Sequence, residues 1–164
     1  MISEPLSSMN SNFKKKREFP SLPVDVFDFF LRSVFEDEEI LASMAVKTIK
    51  KPYGINSIIY LSGSFGISFV SMRPGATTSL HYHHERAEYF FIRKGILTFY
   101  FDQSEHLIQN GKTSRSIPGQ PHRLSNCSDS QLEILEIFTP PNIDDKIRVE
   151  DFYGRTLGSV SHKE

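Results

Sequence analysis

GATTSLHYHHERAEYFFIRKG, residues Gly75 to Gly95, decides how the chain is read. Arg73-Pro74-Gly75 before it and Lys94-Gly95 at its end are turn signals. Between them, Ser79–His83 and Glu88–Arg93 are short runs of aromatic, apolar and alternating polar residues. On a strand, side chains two apart share a face, so His81 and His83 point together and His84 points away. Glu88 opens the next strand.

The reading extends outward on both sides. Ser57–Leu61, Phe65–Met72, Ile96–Phe101, Lys112–Ile117 and Leu132–Phe138 are further short runs rich in Ile, Phe, Tyr and Val. Ser62-Gly63, Asn110-Gly111 and Pro118-Gly119 punctuate them, and Pro140-Pro141 closes the last. Short strands at this spacing without intervening helices predict an all-β antiparallel sandwich or barrel, and no internal repeat divides it. Upstream the pattern changes. Phe27, Phe30, Leu31, Val34 and Leu41 recur at helical spacing after Pro23, so a helical segment is expected over 23–49, packing on the barrel or on a dimer partner. Residues 1–22 are serine-rich with a basic run from Lys14 to Arg17 and read as a disordered tail. The barrel is expected over 50–155 and a second tail over 156–164.

Composition sets the outer limits. Nineteen Lys and Arg against 20 Asp and Glu leave a net charge of −1, which removes the electrostatic argument for nucleic acid or an anionic membrane. No apolar run is long enough for a membrane helix and no secretory signal is present, so a cytoplasmic protein is expected. A single cysteine excludes internal disulfides and leaves metal binding to nitrogen and oxygen donors.

Such donors are present. His122 follows Pro118-Gly119 on a later strand. Three imidazoles and the Glu88 carboxylate from different strands can converge on one divalent cation, with Zn, Fe, Mn, Co and Ni all compatible with the donor set. His-x-His alone is weak evidence. The full string, Gly75-x5-His81-x-His83-x4-Glu88-x6-Gly95, arises by chance on the order of once in ten thousand such sequences. Capture by imidazoles is expected to weaken below about pH 6.5, where an ordinary histidine protonates.

That string resembles the first motif of the cupin superfamily. Gly111, Pro118-Gly119, His122 and Asn126 resemble the second, with Pro118 one place late. The resemblance implies a single cupin (jelly-roll) barrel with His81, His83, Glu88 and His122 as metal ligands. Within the superfamily, Lys51-Pro52-Tyr53-Gly54 and Ser79 through Glu88 are similar to the C-terminal cupin of type II mannose-6-phosphate isomerases. So are Leu132 to Ile137, Asp144 to Arg148 and Asp151 to Arg155. The similarity covers about residues 50–155. His81 stands where that family usually has Gln. None of these 164 residues forms a glycine-rich nucleotide loop, so guanylyltransferase activity is not expected of them.

The function so implied is sugar-phosphate aldose–ketose isomerisation, in which a proton moves between neighbouring carbons through an enediolate that a metal ion can stabilise. Glu136, on a strand face shared with Ile134 and Phe138, is the candidate base, with Glu133 its competitor for the inward position. Arg155, seconded by Arg148, is the candidate grip on the phosphate. An Fe(II)-dependent dioxygenase and a non-enzymatic cupin binding a sugar or other small molecule are the alternatives. The aromatic run Tyr89, Phe91, Phe99 and Phe101 exceeds what one barrel interior needs, so a homodimer is expected.

Overall fold

The structure, a computed structural model, describes residues 45–155 and 157–159. The expected tail 1–22 and the expected helical segment up to residue 44 lie outside the described residues. Twelve strands run in chain order: β1 (Lys47–Lys51), β2 (Gly54–Leu61), β3 (Gly66–Met72), β4 (Leu80–Tyr82), β5 (Ala87–Lys94), β6 (Ile96–Phe101), β7 (Ser104–Gln109), β8 (Thr113–Ser116), β9 (His122–Ser125), β10 (Leu132–Thr139), β11 (Ile147–Glu150) and β12 (Gly158–Ser159). They form two six-stranded antiparallel sheets, ordered β1-β2-β3-β10-β5-β8 and β12-β11-β4-β9-β6-β7. The fold is an all-β jelly roll, and among the described residues no helix is long and apolar enough to cross a membrane.

Alternation builds the sheets. Every second residue of β3 and β5 is buried, which puts Val70, Met72, Phe90 and Ile92 in the interior with Leu97, Phe99 and Leu124 from the facing sheet. β10, central in its sheet, is buried on both faces: Leu132 and Ile134 point inward, and Leu135 packs outward with Ile59, Ile67, Phe69 and Phe91. Phe99 is wholly buried in the interior, so it belongs to the core and not to an outer aromatic face. Gly95, at a φ of 87°, makes the β5–β6 turn, and a Cβ there would meet the Gln131 carbonyl at 3.0 Å.

Two boundaries differ from expectation. Lys47–Lys51 is a strand, so the segment assigned to helix over 23–49 gives way to β structure at its end. Thr48 and Ile49 are β-branched and lie between lysines along a sheet edge. β11 lies in the charged return after Pro141, within the expected barrel, and pairs with β4, whereas Gly158–Ser159 within the expected tail 156–164 adds β12. β7 is a further strand. It is almost wholly exposed and polar, so no apolar run marks it.

Candidate metal centre

The two sheets meet around four buried side chains. β4 and β9 pair so that His81 lies directly opposite His122, their rings 4.4 Å apart between centroids. His83, two residues beyond His81, turns to the same side just past the end of β4. Glu88 reaches them from β5 in the other sheet, with Oε1 3.0 Å from His83 Nε2 and Oε2 2.9 Å from His122 Nε2. Donor atoms of all four lie within 4.8 Å of one another.

The outer nitrogen of each ring is already committed. Nδ1 of His81 donates to the Ser79 carbonyl at 2.7 Å, that of His122 to the Gln120 carbonyl at 2.9 Å, and that of His83 to the Asp145 carbonyl. These bonds keep the proton on Nδ1 and turn the Nε2 lone pairs inward, the tautomer a metal ligand needs. Burial, with the Lys146 charge added, pushes His81 well below the usual histidine range. Burial likewise lowers His83 to about 4, so both rings are neutral. Burial opposes ionisation of Glu88, but the Arg86 guanidinium and the two imidazoles hold it well below the ordinary range. His122 Nε2 makes no hydrogen bond, yet it faces a carboxylate oxygen at 2.9 Å. Two lone-pair atoms held this close call for a cation between them. Separations near 3 Å also suit neighbouring ligands about 2.1 Å from a shared ion, so these residues fit a divalent metal.

The centre opens into a cavity of about 90 Å³ between the sheets. On its wall, Glu136 of β10 accepts a hydrogen bond from Ser68 Oγ at 2.7 Å. Burial and the neighbouring Glu88 charge raise the Glu136 carboxyl to about 7, against the pull of Arg86. Arg86 is 6% exposed and donates from Nη2 to Glu88 Oε1 at 2.6 Å and to His83 Nε2 at 3.0 Å. The same nitrogen lies 3.9 Å from Glu136. Five cationic side chains (Lys51, Arg86, Lys146, Arg148 and Arg155) line the cavity against two carboxylates, Glu88 and Glu136.

Residues 68–138 match the cupin domain family. This region is a cupin domain. AlgA of Pseudomonas aeruginosa, an alginate biosynthesis protein, is 31% identical to the chain over 110 residues, which are 66% of this chain and 23% of AlgA. XanB of Xanthomonas campestris pv. campestris, a xanthan biosynthesis protein, is 30% identical over 112 residues, 67% of this chain and 24% of XanB. A mannose-1-phosphate guanylyltransferase of Escherichia coli is 29% identical over 111 residues, 66% of this chain and 24% of that protein. The chain thus spans about a quarter of the length of these relatives. Among solved structures, KdgF from Halomonas sp. superposes with a TM-score of 0.56 at 13% identity, covering 60% of this chain and 89% of that one. CapF from Staphylococcus aureus superposes at 0.56 and 20% identity, covering 64% of this chain and 34% of that one. Both likenesses are of fold.

The cupin brings His81, His83, Glu88 and His122 together and leaves His84 exposed. Glu136 faces the cavity on the side of Ile134 and Phe138, whereas Glu133 is held by Arg93 Nε at 2.8 Å. Arg148 and Arg155 both line the cavity, but Asp151 Oδ1 accepts bonds from Nε and Nη2 of Arg155, so that fork is largely occupied. Arg86, Ser68, Lys51 and Lys146 were not among the residues expected in the site. For Arg86 a signal existed, because it stands two residues before Glu88. For Lys146 none did, since its place depends on how the chain returns after Pro141.

Proposed function

We propose that this cupin is a metal-dependent sugar-phosphate aldose–ketose isomerase acting on mannose 6-phosphate or a related sugar phosphate. One observation carries the reading: a cavity lined by His81 and Glu88 of the four-residue metal-type centre is also lined by a buried carboxyl and an excess of cations. The relatives' names support it, since they concern polysaccharide biosynthesis and a mannose phosphate.

A divalent ion held by His81, His83, Glu88 and His122 would supply Lewis-acid stabilisation of the enediolate. Glu136 takes the proton from one sugar carbon and returns it to the next. Ser68 fixes its Oε2, which leaves Oε1 toward Arg86 as the edge that meets the substrate. Arg86 keeps a positive charge beside that reaction, while the enclosing sheets limit access of water to the intermediate. Arg148 and Arg155 contribute to the field that draws in an anionic substrate.

The test is a panel of sugar phosphates supplied with Zn, Co or Mn. Interconversion is expected for at least one aldose–ketose pair. Glu136→Gln is expected to lower kcat/KM by about a hundredfold or more while bound metal stays at the wild-type level. A metal-loaded chain that interconverts nothing in the panel, or a fully active Glu136→Gln, sinks the reading.

A further inference from the structure

The cavity's cations are not equivalent. Arg86 is paired with Glu88, and Arg155 is held by Asp151 and stacked 5.0 Å over the Tyr153 ring. Lys51, at the end of β1, and Lys146, just before β11, enter from opposite sheets, and both are half-buried. Among the described residues neither forms an ion pair. Their neighbours are chiefly other cations: Arg148, Arg155 and Lys47 act on Lys51, and Arg86 and Lys51 act on Lys146. Glu88 and Glu136 offset this only in part at Lys146, and His81 and His83 on its other side are neutral. Two ammonium groups partly withdrawn from water, repelled by their surroundings and lacking a counterion, are costly unless an anion joins them. A second orphan points the same way. The Arg86 Nε–H, buried in the same cavity wall, has no acceptor.

We propose that Lys51 and Lys146 form the anion subsite of this cavity, where the phosphate monoester of the ligand is held. The inference rests on the sugar-phosphate reading and deepens it by naming where the phosphate sits. It also shifts the anchoring role from the Arg155 fork to two lysines. A phosphate dianion between them neutralises both ammonium groups and leaves the sugar carbons to extend toward Glu136 and the metal centre. Burial, followed by the Arg86 charge, lowers Lys146 to about 8. A phosphate monoester becomes a dianion above roughly pH 6, so the ester dianion and the Lys146 ammonium coexist best between these values.

Phosphorus NMR titration of the full chain with inorganic phosphate tests this, with EDTA present so that no metal ion can hold the anion. Wild type is expected to bind phosphate near neutral pH and to lose affinity several-fold as pH rises from about 7 to about 9. Lys146→Met and Lys51→Met are each expected to weaken binding by about tenfold or more, while Lys146→Arg, which keeps the charge, stays near wild type. Thermal melts with and without phosphate show whether each variant is folded and report the same loss as a missing stabilisation. Folded Met variants that bind phosphate like wild type, a flat pH response, or a wild type that ignores phosphate would each overturn the subsite. Isomerisation is scored separately. Lysine-dependent phosphate binding without turnover would sink the isomerase reading and leave the subsite standing. Turnover with an unchanged KM in Lys146→Met would do the reverse.

Discussion

At the scale of single residues, the candidate centre is defined by which atom of each side chain is already spent. Backbone carbonyls take the Nδ1 protons of His81, His83 and His122, so each ring keeps Nε2 for the centre, and those of His83 and His122 meet Glu88. His83→Ala is therefore expected to drop bound metal from near one per chain to a small fraction. His84→Ala, on the exposed side, should retain it; mass spectrometry of the metal content of both variants checks this. The same burial governs the response to acid. In the metal-free chain, an unfolded His83 protonates near 6.5 whereas the folded one resists until about 4. Between those values the unfolded state binds more protons, so stability must fall as pH drops. The loss from His83 is on the order of 3 kcal/mol and is complete below the folded value, with His81 adding in the same direction. Urea unfolding of EDTA-treated protein from pH 7 to pH 4 measures it, and stability that holds level across that window would refute the neutral, buried assignment. Proton competition for the metal at His81 and His83 is also expected to begin lower than the roughly pH 6.5 of ordinary histidines, because burial keeps those two rings neutral there.

At the scale of elements, the loop between β10 and β11 does more than connect strands. Asp145 accepts backbone N–H bonds from His84, Glu85 and Arg86 at 2.8, 2.9 and 2.9 Å, and its carbonyl orients His83. Asp145→Ala is expected to cost about 1–3 kcal/mol of stability and to weaken metal binding. Hydrogen exchange at residues 84–86 should speed up in the variant, and unchanged protection there would show that the clamp is not needed. This part of the fold was poorly legible from sequence. β3, β5 and β10 could be read because burial imposes alternation or a continuous apolar run on them. β7 could not, because an edge strand keeps polar residues on its exposed faces, and β11 could not, because its four residues are half-buried to exposed and two of them are charged. The β6–β7 hairpin was hidden for a related reason: Asp102 and Gln103 carry positive φ values of 49° and 59° without the glycine that normally marks such a turn. Asn126, legible as part of the second motif, proves to be a tie between loops. Its amide donates to the Met72, Arg73 and Ser130 carbonyls.

At the scale of the whole molecule, two sheets close around a chamber whose chemistry comes from distant parts of the chain. The ligand set was readable because three of its members lie within eight residues and strand parity orders them. The rest of the chamber was not, since pairing of Arg148 with His81 and of Glu136 with Ser68 depends on register between strands far apart in sequence. The outer face of the first sheet carries a second apolar cluster, with Ile67, Phe69 and Phe91 half-buried around Ile59 and Leu135. A homodimer through this face is expected. Light scattering should give twice the chain mass, and Phe91→Asp should give a folded monomer; a wild-type monomer at micromolar concentration would contradict the pairing. The claim that joins these scales is that metal centre and Glu136 act together on a sugar phosphate. It is tested most directly by incubating mannose 6-phosphate with the metal-loaded chain in heavy water and following deuterium at the sugar C2 by NMR. Metal-dependent deuterium uptake that is lost in Glu136→Gln is expected. Absence of uptake by a chain that holds its metal, or equal uptake by the variant, would contradict that claim.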